Sequence, residues 1–128
     1  MARPRARELT ERELEIMHVF WDEGPLTAQQ VRDHFAERSS DLAYTTVATL
    51  IRILTEKGFL RQTNTERPFV YEPIRSFEEV SNRLVDHLLK RVFAGSREKM
   101  LVSLFGQQQI SDDEREALEQ ILRETGDE

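Results

Sequence analysis

Apolar residues recur along this chain at helical spacing, and the runs are broken at a few well-marked points. The first run opens with Thr10 and Glu13, an S/T-x-x-E capping box, with Leu9 and Leu14 where a hydrophobic staple stands. Leu14, Met17 and Trp21, with Ile16 and Phe20 beside them, form its apolar stripe, and Gly24-Pro25 ends it. A second helix starts at once. Thr27 and Gln30 repeat the box, Leu26 and Val31 repeat the staple, and Val31 and Phe35 make the apolar face. It fades into the polar, turn-like cluster Arg38-Ser39-Ser40-Asp41. A third helix is predicted from Tyr44 to Lys57. Val47, Leu50, Ile51 and Leu54 give it one inward face, Thr45, Ala48, Thr49 and Arg52 the other, and Gly58 closes it.

Two extended segments follow, Phe59 to Gln62 and Phe69 to Glu72, on either side of Thr63-Asn64-Thr65-Glu66-Arg67-Pro68. Phe69 and Tyr71 alternate with Val70 and Glu72, the pattern of a half-buried strand. Three helices and a hairpin in this order predict a winged helix-turn-helix over residues 8–75. The fold class is mainly α, with a helical dimerisation segment over residues 76–128.

That second part opens after Pro73 with a further box, Ser76 and Glu79. Phe77, Val80, Leu84, Leu88 and Val92 form a helical stripe up to Gly95. A short helix from Arg97 to Phe105 carries Met100, Leu101 and Leu104 and stops at Gly106. Ser111 with Glu114 caps a last helix in which Leu118, Ile121 and Leu122 align. Its acidic first turn (Asp112, Asp113, Glu114) suits the positive end of a helix dipole. Thr125 to Glu128 reads as a frayed end. A helical appendage of this size has a marginal core of its own, so its stripes are expected to meet a second copy in two-fold symmetry. Leu84, Leu88, Leu89, Leu101, Leu118 and Ile121 are the candidate dimerisation residues. The bland alternative is that these helices fold back on their own first domain.

Charge at first argues against a nucleic-acid ligand, because the net charge is −6. Its distribution changes that picture. Residues 1–75 hold 11 Lys and Arg against 12 Asp and Glu, whereas residues 76–128 hold 7 against 12. Arg3, Arg5 and Arg7 precede the first acid, and residues 42–75 carry Arg52, Lys57, Arg61, Arg67 and Arg75 against three acids. Local basic surface, rather than the total, holds phosphates. The 128 residues contain no cysteine, which excludes disulfides and thiolate metal sites. There is no apolar run of membrane-spanning length, and the amino-terminal residues lack the apolar stretch of a signal peptide. The expectation is a cytoplasmic protein without membrane insertion.

In a helix-turn-helix the second helix of the pair enters the major groove, and its first residues meet base edges. Here those residues are Tyr44, Thr45 and Thr46, followed by Ala48 and Thr49. Threonine methyls can touch the thymine C5-methyl, and their hydroxyls can reach bases or phosphates. Arg52, two turns on, is placed for phosphate. Thr27 and the amides of Ala28 and Gln29, at a helix start, form a natural phosphate site. Arg67 at the hairpin tip can reach the backbone or the minor groove. Taken singly, each of these is ordinary capping or surface charge; the combination carries the expectation. His18, His34 and His87 belong to no catalytic or zinc motif, and no phosphate-binding glycine loop or nucleophile elbow is present, so no enzyme and no cofactor is expected. Two rival classes stay open: a winged-helix module that binds protein, and a metal-responsive regulator assembled from dispersed histidines and carboxylates.

Leu9-Thr10-Glu11-Arg12-Glu13-Leu14-Glu15-Ile16-Met17, then Trp21, then Leu26-Thr27-Ala28-Gln29-Gln30-Val31 resemble the penicillinase-repressor (BlaI/MecI/CopY-type) family. So do Ala43-Tyr44-Thr45-Thr46-Val47-Ala48-Thr49-Leu50, Glu56-Lys57-Gly58-Phe59-Leu60 and Phe69-Val70-Tyr71. The resemblance covers about residues 8–124. It implies a winged-helix repressor that dimerises through its C-terminal helices and binds palindromic double-stranded DNA. In the beta-lactam branch it also implies a membrane sensor protease as partner, with cleavage at an Asn-Phe bond in the dimerisation part. The corresponding place here reads Ser103-Leu104-Phe105-Gly106, with Leu104 in the position of the Asn. The copper-responsive branch binds metal through cysteines, which this chain lacks.

Overall fold

The computed structural model describes residues 8–38, 41–106 and 109–125. Arg3, Arg5 and Arg7, the middle of the Arg38–Asp41 turn and the last three positions of the chain lie outside them. Among the described residues there are six helices and three short strands. In chain order these are α1 (Glu11–Glu23), β1 (Leu26–Thr27), α2 (Ala28–Glu37), α3 (Tyr44–Glu56), β2 (Leu60–Gln62), β3 (Val70–Pro73), α4 (Phe77–Arg91), α5 (Arg97–Phe105) and α6 (Asp112–Thr125). None of the helices is long and apolar enough to cross a membrane. The chain divides into two compact units, one ending at Ser81 and the other beginning at Asn82.

The first unit owes its shape to amphipathic helices with strong punctuation. Thr10 and Thr27 each accept a hydrogen bond from the amide three residues on, while the Glu13 and Gln30 side chains accept from the two cap amides. Both boxes therefore fix a helix start where the sequence placed it. Gly24 ends α1 at φ 90°, a conformation that side chains resist, and its amide donates to the Phe20 carbonyl. Gly58 ends α3 at φ 88°, and the amide of Phe59 reaches back to the Leu54 carbonyl. The core is built from Ile16, Met17, Val19 and Phe20 of α1, Val31 and Phe35 of α2, and Val47, Ile51 and Leu54 of α3. Phe59 and Leu60 after α3 and Val80 of α4 complete it. The α1 stripe lies slightly off the expected one: Leu14 and Trp21 are only half-buried, and Val19 replaces them inside.

The sheet contains a strand that periodicity did not announce. β3 lies in the middle, antiparallel to both neighbours, in the order β1-β3-β2. Leu26 pairs with Tyr71 and Thr27 with Val70, while Leu60, Arg61 and Gln62 pair with Pro73, Glu72 and Tyr71. Two residues are too short for any alternation to show, and Leu26 reads in sequence as part of a helix staple. The pairing locks the start of α2 to the base of the hairpin.

The second unit comprises most of α4, with α5 and α6. The reciprocal bonds between Ser111 and Glu114 open α6, and Ser96, unforeseen as a cap, opens α5 by accepting from the Lys99 amide. The expected box at the start of α4 forms only in half. Ser76 accepts from the Glu79 amide, but the Glu79 carboxylate turns to Arg75 at 3.4 Å. α4 ends at Arg91, four residues short of Gly95. Thr125 is the last residue of α6, its hydroxyl donating to the Ile121 carbonyl, and the rest of the expected frayed end, 126–128, lies outside the described residues. No described residue of this unit is buried. An open groove of about 360 Å³ runs between α5 and α6, lined by Leu104, Phe105, Ala117, Leu118 and Ile121 with Gln109 and Glu114.

Candidate nucleic-acid interface

The exposed face of α3 follows from what the core takes. Burying Val47, Ile51 and Leu54, with Leu50 half-buried, turns Tyr44, Thr45, Thr46, Thr49 and Arg52 outward; Ala48 is half-buried beside them. Threonine supplies a hydroxyl and a methyl on a short stem, which lets a helix approach bases closely. The helix start is chemically open. Ala43 stands at the N-cap and offers no side-chain hydrogen bond, and the first intrahelical bond runs from the Val47 amide to the Ala43 carbonyl. The amides of Tyr44, Thr45 and Thr46 precede that bond, so no earlier carbonyl of the helix serves them.

At α2 the division of labour is different. The Thr27 hydroxyl accepts from the Gln30 amide and the Thr27 amide donates to Gln30, so Thr27 is occupied by its own helix. The Gln29 side chain donates to Asp33. What remains for an anion here is the pair of amides of Ala28 and Gln29 at the positive end of the helix dipole. Pairing of Thr27 with Val70 sets this helix start beside the hairpin strand.

The basic residues of this half are far less available than their number implies. Arg52 pairs with Glu56 at 3.0 Å, Arg75 with Glu79 at 3.4 Å, and Arg61 with Glu72 across the β2–β3 pair. Lys57 is withdrawn from the surface, donating to the Glu13 carboxylate and the Glu8 carbonyl, both at 2.8 Å. Arg67 differs. It is exposed, its guanidinium lies 5.1 Å above the Phe69 ring, and among the described residues no carboxylate pairs with it. The expectation of a broadly basic face therefore narrows to Arg67, with Arg52 able to exchange Glu56 for another anion.

Sequence reasoning missed the residue that organises the hairpin. The Asn64 side chain donates to the carbonyls of Glu66 and Pro68 and accepts from the Val70 amide at 2.8 Å. Asparagine inside a polar turn was the available signal. Sequence reasoning also missed the aromatic cluster of His18, Trp21 and Phe77, with ring centroids 5.2 to 5.9 Å apart. There the Trp21 indole donates to the Arg75 carbonyl at 2.9 Å. His34 is half-buried on α2, 3.7 Å from Glu23, and His87 lies on α4 beside Arg91. Among the described residues no three histidines or carboxylates gather as a metal site.

Leu84, Leu88, Leu101 and Ile121 are exposed, and Leu89 and Leu118 are half-buried. Val92, Leu104 and Leu122 of the same stripes are exposed as well, and so are Val85 and Val102, which the sequence stripes did not include.

The penicillinase repressor family pattern matches residues 9–124. The transcriptional regulator BlaI of Mycobacterium tuberculosis is 33% identical over 111 residues, 85% of this chain and 78% of that protein. The penicillinase repressor of Bacillus licheniformis is 26% identical over 117 residues, 91% of each chain. The solution structure of the DNA-binding domain of the repressor BlaI has a TM-score of 0.51 at 25% identity, covering 62% of this chain and 93% of that domain. With the match running from the first capping box through the last helix, this chain belongs to the penicillinase repressor family.

Proposed function

We propose that the chain is a homodimeric transcriptional repressor that binds a palindromic operator. In this reading α3 lies in the major groove of each half-site. Thr45, Thr46, Thr49 and Ala48 meet bases, and Tyr44 and Arg52 meet phosphate. The Ala28 and Gln29 amides hold a second phosphate, and Arg67 a third. The observation that carries the reading is the outward threonine face of α3 with its uncapped start, backed by a fully buried Val47–Ile51–Leu54 stripe. The first unit binds DNA and the second pairs the copies, because none of its described apolar side chains is fully buried within one chain. The protein acts in the cytoplasm and carries out no catalytic step. Relief through a membrane sensor protease is not part of the reading, since Leu104 stands where the cut bond has Asn.

A winged-helix module that binds protein is the second reading, favoured by the ion pairing of Arg52, Lys57, Arg61 and Arg75 and by the net charge of −6. Selecting bound fragments from the source genome and titrating the best of them with salt separates the two. A repressor returns an inverted repeat whose log affinity falls linearly with log salt. Return of unrelated fragments at every ionic strength overturns DNA recognition.

A further inference from the structure

We propose that Asn64 is the positioning residue of the wing: it clamps the backbone on both sides of Arg67 and so presents that guanidinium to a DNA phosphate. The inference rests on the operator-binding reading above and adds the device that makes its wing contact effective.

The segment from Thr63 to Phe69 joins β2 to β3 and contains no regular structure of its own. A seven-residue polar loop of this kind ordinarily loses backbone entropy at every residue when a ligand orders it. Here one side chain orders it beforehand. Asn64 Nδ2 donates to the Glu66 carbonyl at 3.0 Å and to the Pro68 carbonyl at 3.1 Å. Those two residues are the immediate neighbours of Arg67. Asn64 Oδ1 accepts from the Val70 amide at 2.8 Å, which ties the clamp to the first residue of β3. The Asn64 carbonyl accepts from Gln62 Nε2 at 2.6 Å, which ties it to the last residue of β2. Thr63 closes the neck, its amide donating to the Val70 carbonyl at 2.8 Å. A half-buried Phe69 ring then supports the guanidinium from below at 5.1 Å. Arg52, Lys57, Arg61 and Arg75 each have a carboxylate, and among the described residues Arg67 has none, so the clamped cation has charge to spare. A cation held in place before binding loses less freedom on meeting a phosphate than one on an unordered loop.

The test uses the full chain and a mixed-sequence DNA duplex at varied salt, with Arg67→Ala, Asn64→Ala and the double substitution. All of the Asn64 bonds lie inside the hairpin, so Asn64→Ala leaves the helical core intact. Arg67→Ala removes one phosphate contact per chain. That loss is about tenfold in affinity per wing contact near 0.1 M salt, and the slope of log affinity against log salt becomes shallower by about 0.9 per contact, about 1.8 for a dimer that engages the duplex with both wings. Asn64→Ala is expected to reproduce both changes, and the double variant to bind no worse than Arg67→Ala. Hydrogen exchange at the Val70 amide is expected to accelerate in Asn64→Ala and to stay unchanged in Arg67→Ala. Wild-type affinity and slope in Asn64→Ala, or losses that multiply in the double variant, overturn the clamp while leaving operator binding standing. An Arg67→Ala variant with wild-type slope removes the wing contact itself, and wild-type protein that ignores the duplex defeats the underlying reading.

Discussion

At the scale of single residues the most consequential is Glu13, the buried acid of the described core at 5% side-chain exposure. It serves two partners. One Oε1 accepts from the Thr10 amide at 2.9 Å and from Lys57 Nζ at 2.8 Å, while Lys57 also donates to the Glu8 carbonyl. The pair therefore joins the start of α1 to the end of α3. Coulomb attraction is strong at such depth, but desolvating two charges costs nearly as much, so the net worth of the pair is small. Removing one partner is another matter, since Lys57, at 16% side-chain exposure, keeps the desolvation cost without its counter-charge. Glu13→Ala is expected to lose about 3–5 kcal/mol of folding stability in urea titration. Glu13→Leu combined with Lys57→Met is expected to regain most of it. A loss below about 1 kcal/mol, the worth of an exposed pair, would show the bridge to be solvent-screened. Half of this was readable in advance: Thr10 and Glu13 announce themselves as a capping box at a spacing of three. The Lys57 half was not, because no local rule connects residues 44 positions apart, and Lys57 counted instead toward the phosphate-binding charge.

Among elements, α3 shows how a local omission can be tied to function. Every other helix start of the first unit has a threonine or serine oxygen bonded to the amide three residues on; α3 has Ala43. A serine, threonine or aspartate at such a position stabilises a helix by about 0.5–2 kcal/mol relative to alanine. Ala43→Asp is accordingly expected to raise the thermal midpoint. It is also expected to weaken operator binding by tenfold or more, because the new carboxylate occupies the amides and repels the phosphate that they would otherwise meet. Ala43→Ser gains part of the stability without the charge and is expected to bind between the two. Equal or tighter binding by Ala43→Asp would mean that the start of α3 does not face DNA. The helices themselves were legible because each carries its apolar residues at a fixed period and its caps at fixed offsets. β1 was illegible for the opposite reason: a two-residue strand has no period, and it exists only because Tyr71 and Val70 come to lie beside Leu26 and Thr27. The hairpin tip was legible as a turn, but not as a structure clamped by Asn64.

Taken as a whole, the molecule places its self-sufficient packing in one half. Every buried residue described lies at or before Val80, and the later helices expose Leu84 at 45%, Leu88 at 43% and Val85, Leu101 and Ile121 to a similar degree. Apolar side chains repeated at helical spacing and left exposed support the proposed pairing of copies through this unit. Spacing alone put Leu84, Leu88, Leu89, Leu101, Leu118 and Ile121 forward as candidates for pairing, whereas the exposure of Leu84, Leu88, Leu101 and Ile121 within one chain required coordinates. That exposure also makes the decisive substitution clean. Replacing a core leucine with aspartate unfolds a protein, but Leu88 is already solvated in the single chain, so Leu88→Asp leaves the fold of the protomer nearly unchanged. In a two-fold seam the same carboxylate would face its own symmetry mate across apolar surface, at a cost of several kcal/mol. Leu88→Asp is therefore expected to keep the wild-type far-ultraviolet circular dichroism while sedimenting at half the wild-type mass. A half-site duplex should bind as before. The palindrome should lose the gain that comes from engaging two linked half-sites, a factor of about a hundred or more. A variant that keeps the wild-type mass would place the seam elsewhere, and one that splits yet binds the palindrome undiminished would show that the two α3 helices never act together.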